Sequence, residues 1–297
     1  MNQDAQQPAA HVGTVAVTGA NGELGRRVAA LIAESTTPLI TISRDPSAGP
    51  TYSNVQRRGP AEYSDGNTMR EALDGAETMV LVSGRLSGRR LEDHATAVNA
   101  ALSTGVQRII YVSLIGASPV ATYRNARDHW LTERFIAETG ARYTLLRAGF
   151  YSATLAGLAN QDLVIRGPGG SGRTAFVSHD DIASVVAAIA TDPTTTYDGE
   201  TLEITGPESI TIAEATEKIA AATGRPYRYQ AETLDEAFRS RYRMGMSGNE
   251  IEGWISWYQA IALGHLDRVS DIVQRVTGTA PARMEQLKSW PEPDAYV

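Results

Sequence analysis

The sequence predicts an α/β protein of the Rossmann type: a doubly wound parallel sheet with a smaller, mainly helical C-terminal substrate lobe. Three observations lead there. Short apolar runs alternate with longer helix-like stretches from Thr14 to about residue 150. Those runs are apolar almost throughout rather than at alternate positions, and the first of them ends in a glycine loop, "VTGANGELGRRVAA". A strand covered by helices on both faces has no polar side, which removes the period-two alternation. A strand–helix–strand order with crossovers of this length pairs its strands in parallel.

The expected strands are 14–18, 39–43, 55–58, 78–83, 108–113 and 142–147. Between them the sequence predicts helices over Leu24–Ala33, Thr68–Leu73, Leu91–Ser103 and Arg124–Thr139. Past Phe150 the rhythm changes. "RGPGGSGRTAFVS" reads as strand–turn–strand, with the glycines of 167–172 as a hairpin turn rather than a second phosphate loop. "SHDDIASVVAAIA" reads as a helix opened by Ser178, with Asp181 three residues on in a capping-box arrangement, so His179 belongs to a helix N-terminus rather than a metal site. Trp254, Trp257, Tyr258 and Ile261 recur at helical spacing and read as lobe core, with room for one of them to edge a pocket. The domain reading is a disordered tail over 1–13, a dinucleotide-binding domain over 14–150 and a substrate lobe over 151–297. Segments near 174–177 and 201–205 are candidates to rejoin the main sheet.

Composition narrows the function classes. The 297 residues are 42% hydrophobic and 21% charged, which suits a globular protein. A net charge of −7 argues against a nucleic-acid partner, which needs a basic face to neutralise phosphates. The short basic clusters "SGRRLE" and "YRNARD" read as solvated helix surface. No apolar run has the length of a membrane span, and "MNQDAQQPAAHVG" lacks the pattern of a signal peptide. The chain has no cysteine, which removes disulfides, thiolate nucleophiles and Cys-ligated zinc, and its five histidines show no zinc-ligand spacing. The expectation is a cytoplasmic protein with a small-molecule partner, no metal, no membrane contact and scope for homo-oligomers.

Gly19, Gly22 and Gly25 lie where an apolar strand gives way to a helix. A dinucleotide pyrophosphate needs glycine there, for the tight turn, for close backbone approach and for helix–strand packing. The free amides and the positive end of the helix dipole then hold the anion. The second strand ends "TISRDP", where Arg44 precedes Asp45. An arginine there suits the 2′-phosphate of NADP(H), an acidic residue the 2′-hydroxyl of NAD. The order of charges favours NADP(H); the plainer alternative is an exposed Arg44 and an Asp45 that opens a turn before Pro46.

The chain resembles the NmrA-like group of atypical short-chain dehydrogenases/reductases, which includes bacterial NAD(P)H:quinone oxidoreductases and triphenylmethane reductases. The matching pieces are "VTGANGELGRRV", "SRDP", "YSDGNTMREALDGAETMVLVSG", "GVQRIIYVSLIGA", "DHWLTERFIAETGARYTLLRAGFY", "TAFVSHDDIA" and "TGTAPARMEQLKSW", in family order. The resemblance implies cofactor contacts from Gly19, Asn21, Gly22, Glu23, Leu24 and Gly25 and from Arg44. It implies others from Asp65 near the adenine, from Ser83, Gly84 and Arg85 after the fourth strand, and from Ser113 and Leu114 by the nicotinamide. Phe150 and Tyr151 of "AGFY" are implied to shape the substrate pocket.

Typical short-chain dehydrogenases pair a tyrosine with a lysine four residues later. Here Tyr123 is followed at that spacing by Arg127, and the only lysines are Lys218 and Lys288. Reduction of an ordinary ketone creates an alkoxide that needs a positioned acid, whereas a quinone yields a resonance-stabilised hydroquinone anion. Loss of the pair therefore points to a quinone or similar conjugated electrophile. The alternatives are a reductase of a specialised ketone or enone, and a redox sensor that binds NADP(H) without turnover. His129, oriented by Glu133 one helical turn on, is a candidate proton donor, against the alternative of a solvent-facing helix pair. Tyr123 and Tyr151 are the other catalytic candidates; each can equally serve in packing or as pocket wall.

Overall fold

The computed structural model describes residues 12–49, 51–84 and 88–295. Seven parallel strands form the central sheet in the order β3-β2-β1-β4-β5-β6-β9. They are β1 (Val15–Thr18), β2 (Leu39–Ile42), β3 (Val55–Arg58), β4 (Thr78–Val82), β5 (Arg108–Leu114), β6 (Arg142–Ala148) and β9 (Thr201–Ile204). The strand order reverses beside β1, between β1 and β4, where a doubly wound sheet opens its ligand crevice.

Alternate residues of a strand point to opposite faces, and both faces here are dry. In β1, Val15 and Val17 enter one core cluster and Ala16 the other; in β5, Ile110 and Val112 enter the first and Ile109 and Tyr111 the second. Each such Val or Ile side chain contributes about 1.5–3 kcal/mol by leaving water. This is why the strands read as unbroken apolar runs.

Helices α1 (Glu23–Ala33), α6 (His179–Ala190) and α10 (Ile272–Thr277) cover the first face, while α2 (Gly66–Leu73), α3 (Arg90–Ser103) and α4 (Arg124–Glu138) cover the second. Ser178 caps α6 by accepting the Asp181 amide, as its spacing predicts. Helix α2 begins two residues earlier than its apolar pattern indicates, because Asp65 accepts the amides of Asn67 and Thr68 at 2.9 and 3.2 Å.

The lobe is built from α5 (Ser152–Gly157), α7 (Ile212–Thr223), α8 (Leu234–Arg243) and α9 (Gly248–Ala262) with two small sheets. Its core includes Trp257, Tyr258 and Ile261, with Trp254 packed against it. The hairpin expected over 167–172 does not form. Strand β7 (Val164–Gly167) pairs in parallel with β11 (Arg228–Ala231), and β8 (Arg173–Thr174) pairs with β10 (Ile210–Thr211). The glycines serve packing instead. A Cβ at Gly167 would lie 2.2 Å from the Tyr258 ring, and one at Gly172 2.1 Å from the Ile261 carbonyl, so glycine lets α9 press onto this segment.

Among the described residues no helix is long and apolar enough to cross a membrane, and no cluster of His, Asp and Glu could hold a metal ion.

Candidate active site

A cleft of about 840 Å³ opens at the C-terminal ends of β1, β2 and β4. Gly19, Asn21, Gly22, Glu23, Leu24 and Gly25 all line it. Gly19 adopts φ +61°, a region that favours glycine. A Cβ at Gly25 would fall 2.3 Å from the Gly19 carbonyl oxygen, so the turn closes against α1 only without a side chain. The N-cap of α1 is Gly22, with no side-chain cap, unlike Asp65 and Ser178 at their helices. The first-turn amides therefore face the cleft, and the helix dipole favours an anion there. These residues fit a pyrophosphate.

The Asn21 side chain donates to the Asp45 carbonyl and ties the glycine loop to the end of β2. Arg44 is exposed in the cleft wall and forms no ion pair among the described residues. The Asp45 carboxylate instead accepts the amide and hydroxyl of Ser47 at 2.9 and 2.6 Å, which lowers its pKa. Asp65 does not line the cleft: its carboxylate is spent on the α2 cap, and Glu62, Tyr63 and Ser64 stand in the wall. Arg85 lies outside the described residues.

Ser83 and Gly84 line the cleft. Behind them lies machinery the sequence did not reveal. Tyr63 donates to the Val82 carbonyl at 2.7 Å and lies 2.6 Å from the Thr18 hydroxyl, joining the ends of β1 and β4. His94 Nε2 accepts the Gly84 amide at 3.2 Å, and its Nδ1 lies 3.1 Å from the Thr132 hydroxyl. Thr132 donates its own proton to the Asp128 carbonyl, so it accepts from His94 Nδ1–H, and this network assigns a neutral tautomer. Burial first, and Arg90 second, hold the His94 pKa down to about 3. Arg90, read from "SGRRLE" as solvated surface, is 7% exposed and lines the cleft.

The expected His129–Glu133 pair does not form, and neither residue faces solvent. His129 Nδ1 lies 2.8 Å from the Tyr111 hydroxyl, inside the core. Burial keeps the imidazole well below its usual pKa and hence neutral. The Glu133 carboxylate accepts two hydrogen bonds from Arg147 and one, at 2.6 Å, from Ser113. Ser113 and Leu114, implied to lie by the nicotinamide, are not among the residues lining the cleft. Both members of this helical turn are committed to partners on β5 and β6, because α4 turns this face toward the sheet.

A second cavity, about 770 Å³, lies under the lobe, walled by Tyr123, Phe150, Leu158, Trp254 and Trp257. Phe150 stacks on Trp257 at 3.8 Å between centroids. Tyr123 is the N-cap of α4, and its hydroxyl accepts from Asn125. Arg127, four residues on, donates to the Ala121 carbonyl at 2.7 Å and does not replace the missing lysine. Tyr151 lines the glycine cleft, its ring 4.3 Å from His179. Its hydroxyl has no hydrogen-bond partner among the described residues, and burial raises its pKa to about 12. Just past the end of β6, the consecutive residues Phe150 and Tyr151 line one cavity each.

A seven-stranded Rossmann sheet with a glycine cleft at its switch point, beside an aromatic slot, defines an oxidoreductase of the NAD(P)H-binding class. The chain belongs to the NmrA-like family, whose pattern matches residues 11–275. It is similar to quinone oxidoreductase 2 of Escherichia coli, at 30% identity over 75% of this chain and 78% of the relative. An NAD(P)H azoreductase of Xenophilus azovorans is 28% identical, over 91% of this chain and 94% of that protein. Among solved structures, an E. coli NADPH-dependent quinone oxidoreductase complexed with NADPH superposes with a TM-score of 0.80 at 26% identity, over 92% of this chain and 97% of that one. The triphenylmethane reductase of Citrobacter sp. shares the fold, with a TM-score of 0.78 at 24% identity over 92% and 98%.

Proposed function

We propose that this protein is an NADPH-dependent reductase of quinones or similarly conjugated electrophiles. The observation that carries the reading is that the consecutive residues Phe150 and Tyr151 line an aromatic slot and a glycine-floored cleft respectively. Flat aromatic walls suit a flat conjugated acceptor. Trp257 adds a buried indole N–H without a partner among the described residues, a donor for an acceptor oxygen. The relatives named for quinone and azo reduction support the same class.

The roles follow from placement. The amides around Gly22 and the first turn of α1 hold the pyrophosphate, and Arg44 offers its planar fork to the 2′-phosphate. Ser83 and Gly84 form the wall across from them. Bound NADPH supplies a hydride, which with one proton from water converts a quinone to its hydroquinone. Tyr151, protonated at neutral pH, orients an acceptor oxygen in the cleft. Tyr123 closes the slot. Neither lysine lines the slot or the cleft, so the alkoxide chemistry of a Tyr–Lys pair has no counterpart here.

The test is oxidation of NADPH, followed by absorbance, on addition of 1,4-benzoquinone or a naphthoquinone. Turnover of quinones with none of simple aliphatic ketones supports the reading. Tight NADPH binding with no turnover across a panel of quinones, azo compounds and enones would replace it with a cofactor sensor.

A further inference from the structure

Arg90 opens α3 and stands in the cleft wall. Its buried Nε and Nη1 have no hydrogen-bond partner among the described residues. It forms an ion pair with Asp128, whose carboxylate lies 4.0 Å from Nη1 and is itself 41% exposed, and Asp93, three residues on, lines the same cleft. The other groups within reach of its charge are His94 on α3, Tyr111 on β5, Tyr123 at the start of α4 and His129 on α4. All four are neutral at physiological pH, since burial raises the phenols and depresses the imidazoles. A guanidinium in the interior with unused donors is strongly unfavourable unless a ligand completes it.

Its position gives that ligand a place. Arg90 lines the glycine cleft, and its charge reaches Tyr123, which lines the aromatic slot. It shares that cleft with Tyr151, whose chain neighbour Phe150 lines the slot.

We propose that Arg90 binds an anionic oxygen in the cleft it shares with Tyr151, namely the acceptor oxygen on which negative charge gathers during reduction. This rests on the hydride-transfer reading above. The acceptor takes up a hydride, two electrons and one proton; its oxygen carries the resulting negative charge until water protonates it. Arg90 stays cationic throughout, because a guanidinium does not deprotonate in proteins. It stabilises the charge without exchanging a proton, which distinguishes it from a Tyr–Lys pair.

The test compares Arg90→Gln and Arg90→Lys with the wild type. Three quantities are read: kcat and KM for 1,4-benzoquinone, the Kd for NADPH by calorimetry, and the Kd for 2,4-dinitrophenolate by tryptophan quenching. The last needs no turnover. Loss of one preorganised charge-stabilising donor set lowers kcat about 100-fold in Arg90→Gln, and about 10-fold in Arg90→Lys, which keeps the charge and loses the fork. Phenolate affinity falls in parallel, while NADPH affinity changes by less than about threefold. A large loss of NADPH affinity with kcat retained would assign Arg90 to a cofactor phosphate and overturn the proposal. So would unchanged values throughout. If Arg90→Gln does not fold, Arg90→Lys carries the comparison. If the wild type reduces no quinone, the hydride-transfer reading fails separately, and phenolate binding still decides whether Arg90 takes an anionic oxygen.

Discussion

Arg147 grips Glu133 with two hydrogen bonds, Nε to Oε1 at 2.8 Å and Nη2 to Oε2 at 2.6 Å, joining β6 to α4. The glutamate is 3% exposed and also accepts from Ser113. This two-pronged pair locks the helix that carries His129 to the strand that leads into Phe150 and Tyr151. Removing the carboxylate strands a half-buried guanidinium. Glu133→Ala is expected to lower the free energy of unfolding by about 3 kcal/mol. Urea denaturation measures it, and a loss below about 1 kcal/mol would return the pair to the class of exposed ion pairs.

Acid should destabilise the fold through its buried histidines. In the folded chain burial, assisted by Arg90 and Arg27 respectively, holds His94 down to about 3 and His179 to about 4. Unfolded histidines titrate near ~6.5. Below that pH the unfolded chain takes up protons that the folded chain refuses. Stability is therefore complete above about 6.5 and falls as the pH drops through the acid range, by at most about 1.4 kcal/mol per pH unit for each histidine. His94→Gln should flatten this slope between pH 6.5 and 5, read from urea midpoints; an unaltered slope would show that His94 does not contribute to it.

The glycine loop allows a sharper comparison. Gly25→Ala places a methyl 2.3 Å from the Gly19 carbonyl oxygen. It should cost about 2 kcal/mol or more by overpacking, and NADPH affinity should fall with it. Gly253, mid-way along α9, has open space at the same position. Gly253→Ala should raise stability by about 0.5–1 kcal/mol through helix propensity. Thermal melts of the two variants should move in opposite directions.

Arg44→Ala tests cofactor choice. With its exposed guanidinium in the cleft and the Asp45 carboxylate turned to Ser47, the KM for NADPH should rise about 10-fold or more, and that for NADH far less. Equal effects on both cofactors would remove Arg44 from the 2′-phosphate.

Much of this protein was written locally in the sequence. The unbroken apolar runs disclosed strands buried on both faces, and the glycine triplet between strand and helix marked the cleft it lines, because each depends on residues close together in the chain. Arg44 stood in the cleft wall for the same reason: it follows directly from the end of β2. Where side chains from distant elements had to meet, the pattern was silent or misleading. The spacing of His129 and Glu133 gave their common helical face but not what that face met, and the sheet supplied Tyr111 to one and Arg147 to the other. Asp65 had the right charge near the right strand, yet the local need of α2 for a cap claimed it. The glycines of 167–172 looked like a turn because glycine is permissive, and only the approach of α9 showed that they were small for packing. Arg90 and His94 carried no local signal at all: burial, the lack of partners and the shift in an imidazole's pKa arise from desolvation by the whole fold, which no stretch of sequence specifies alone.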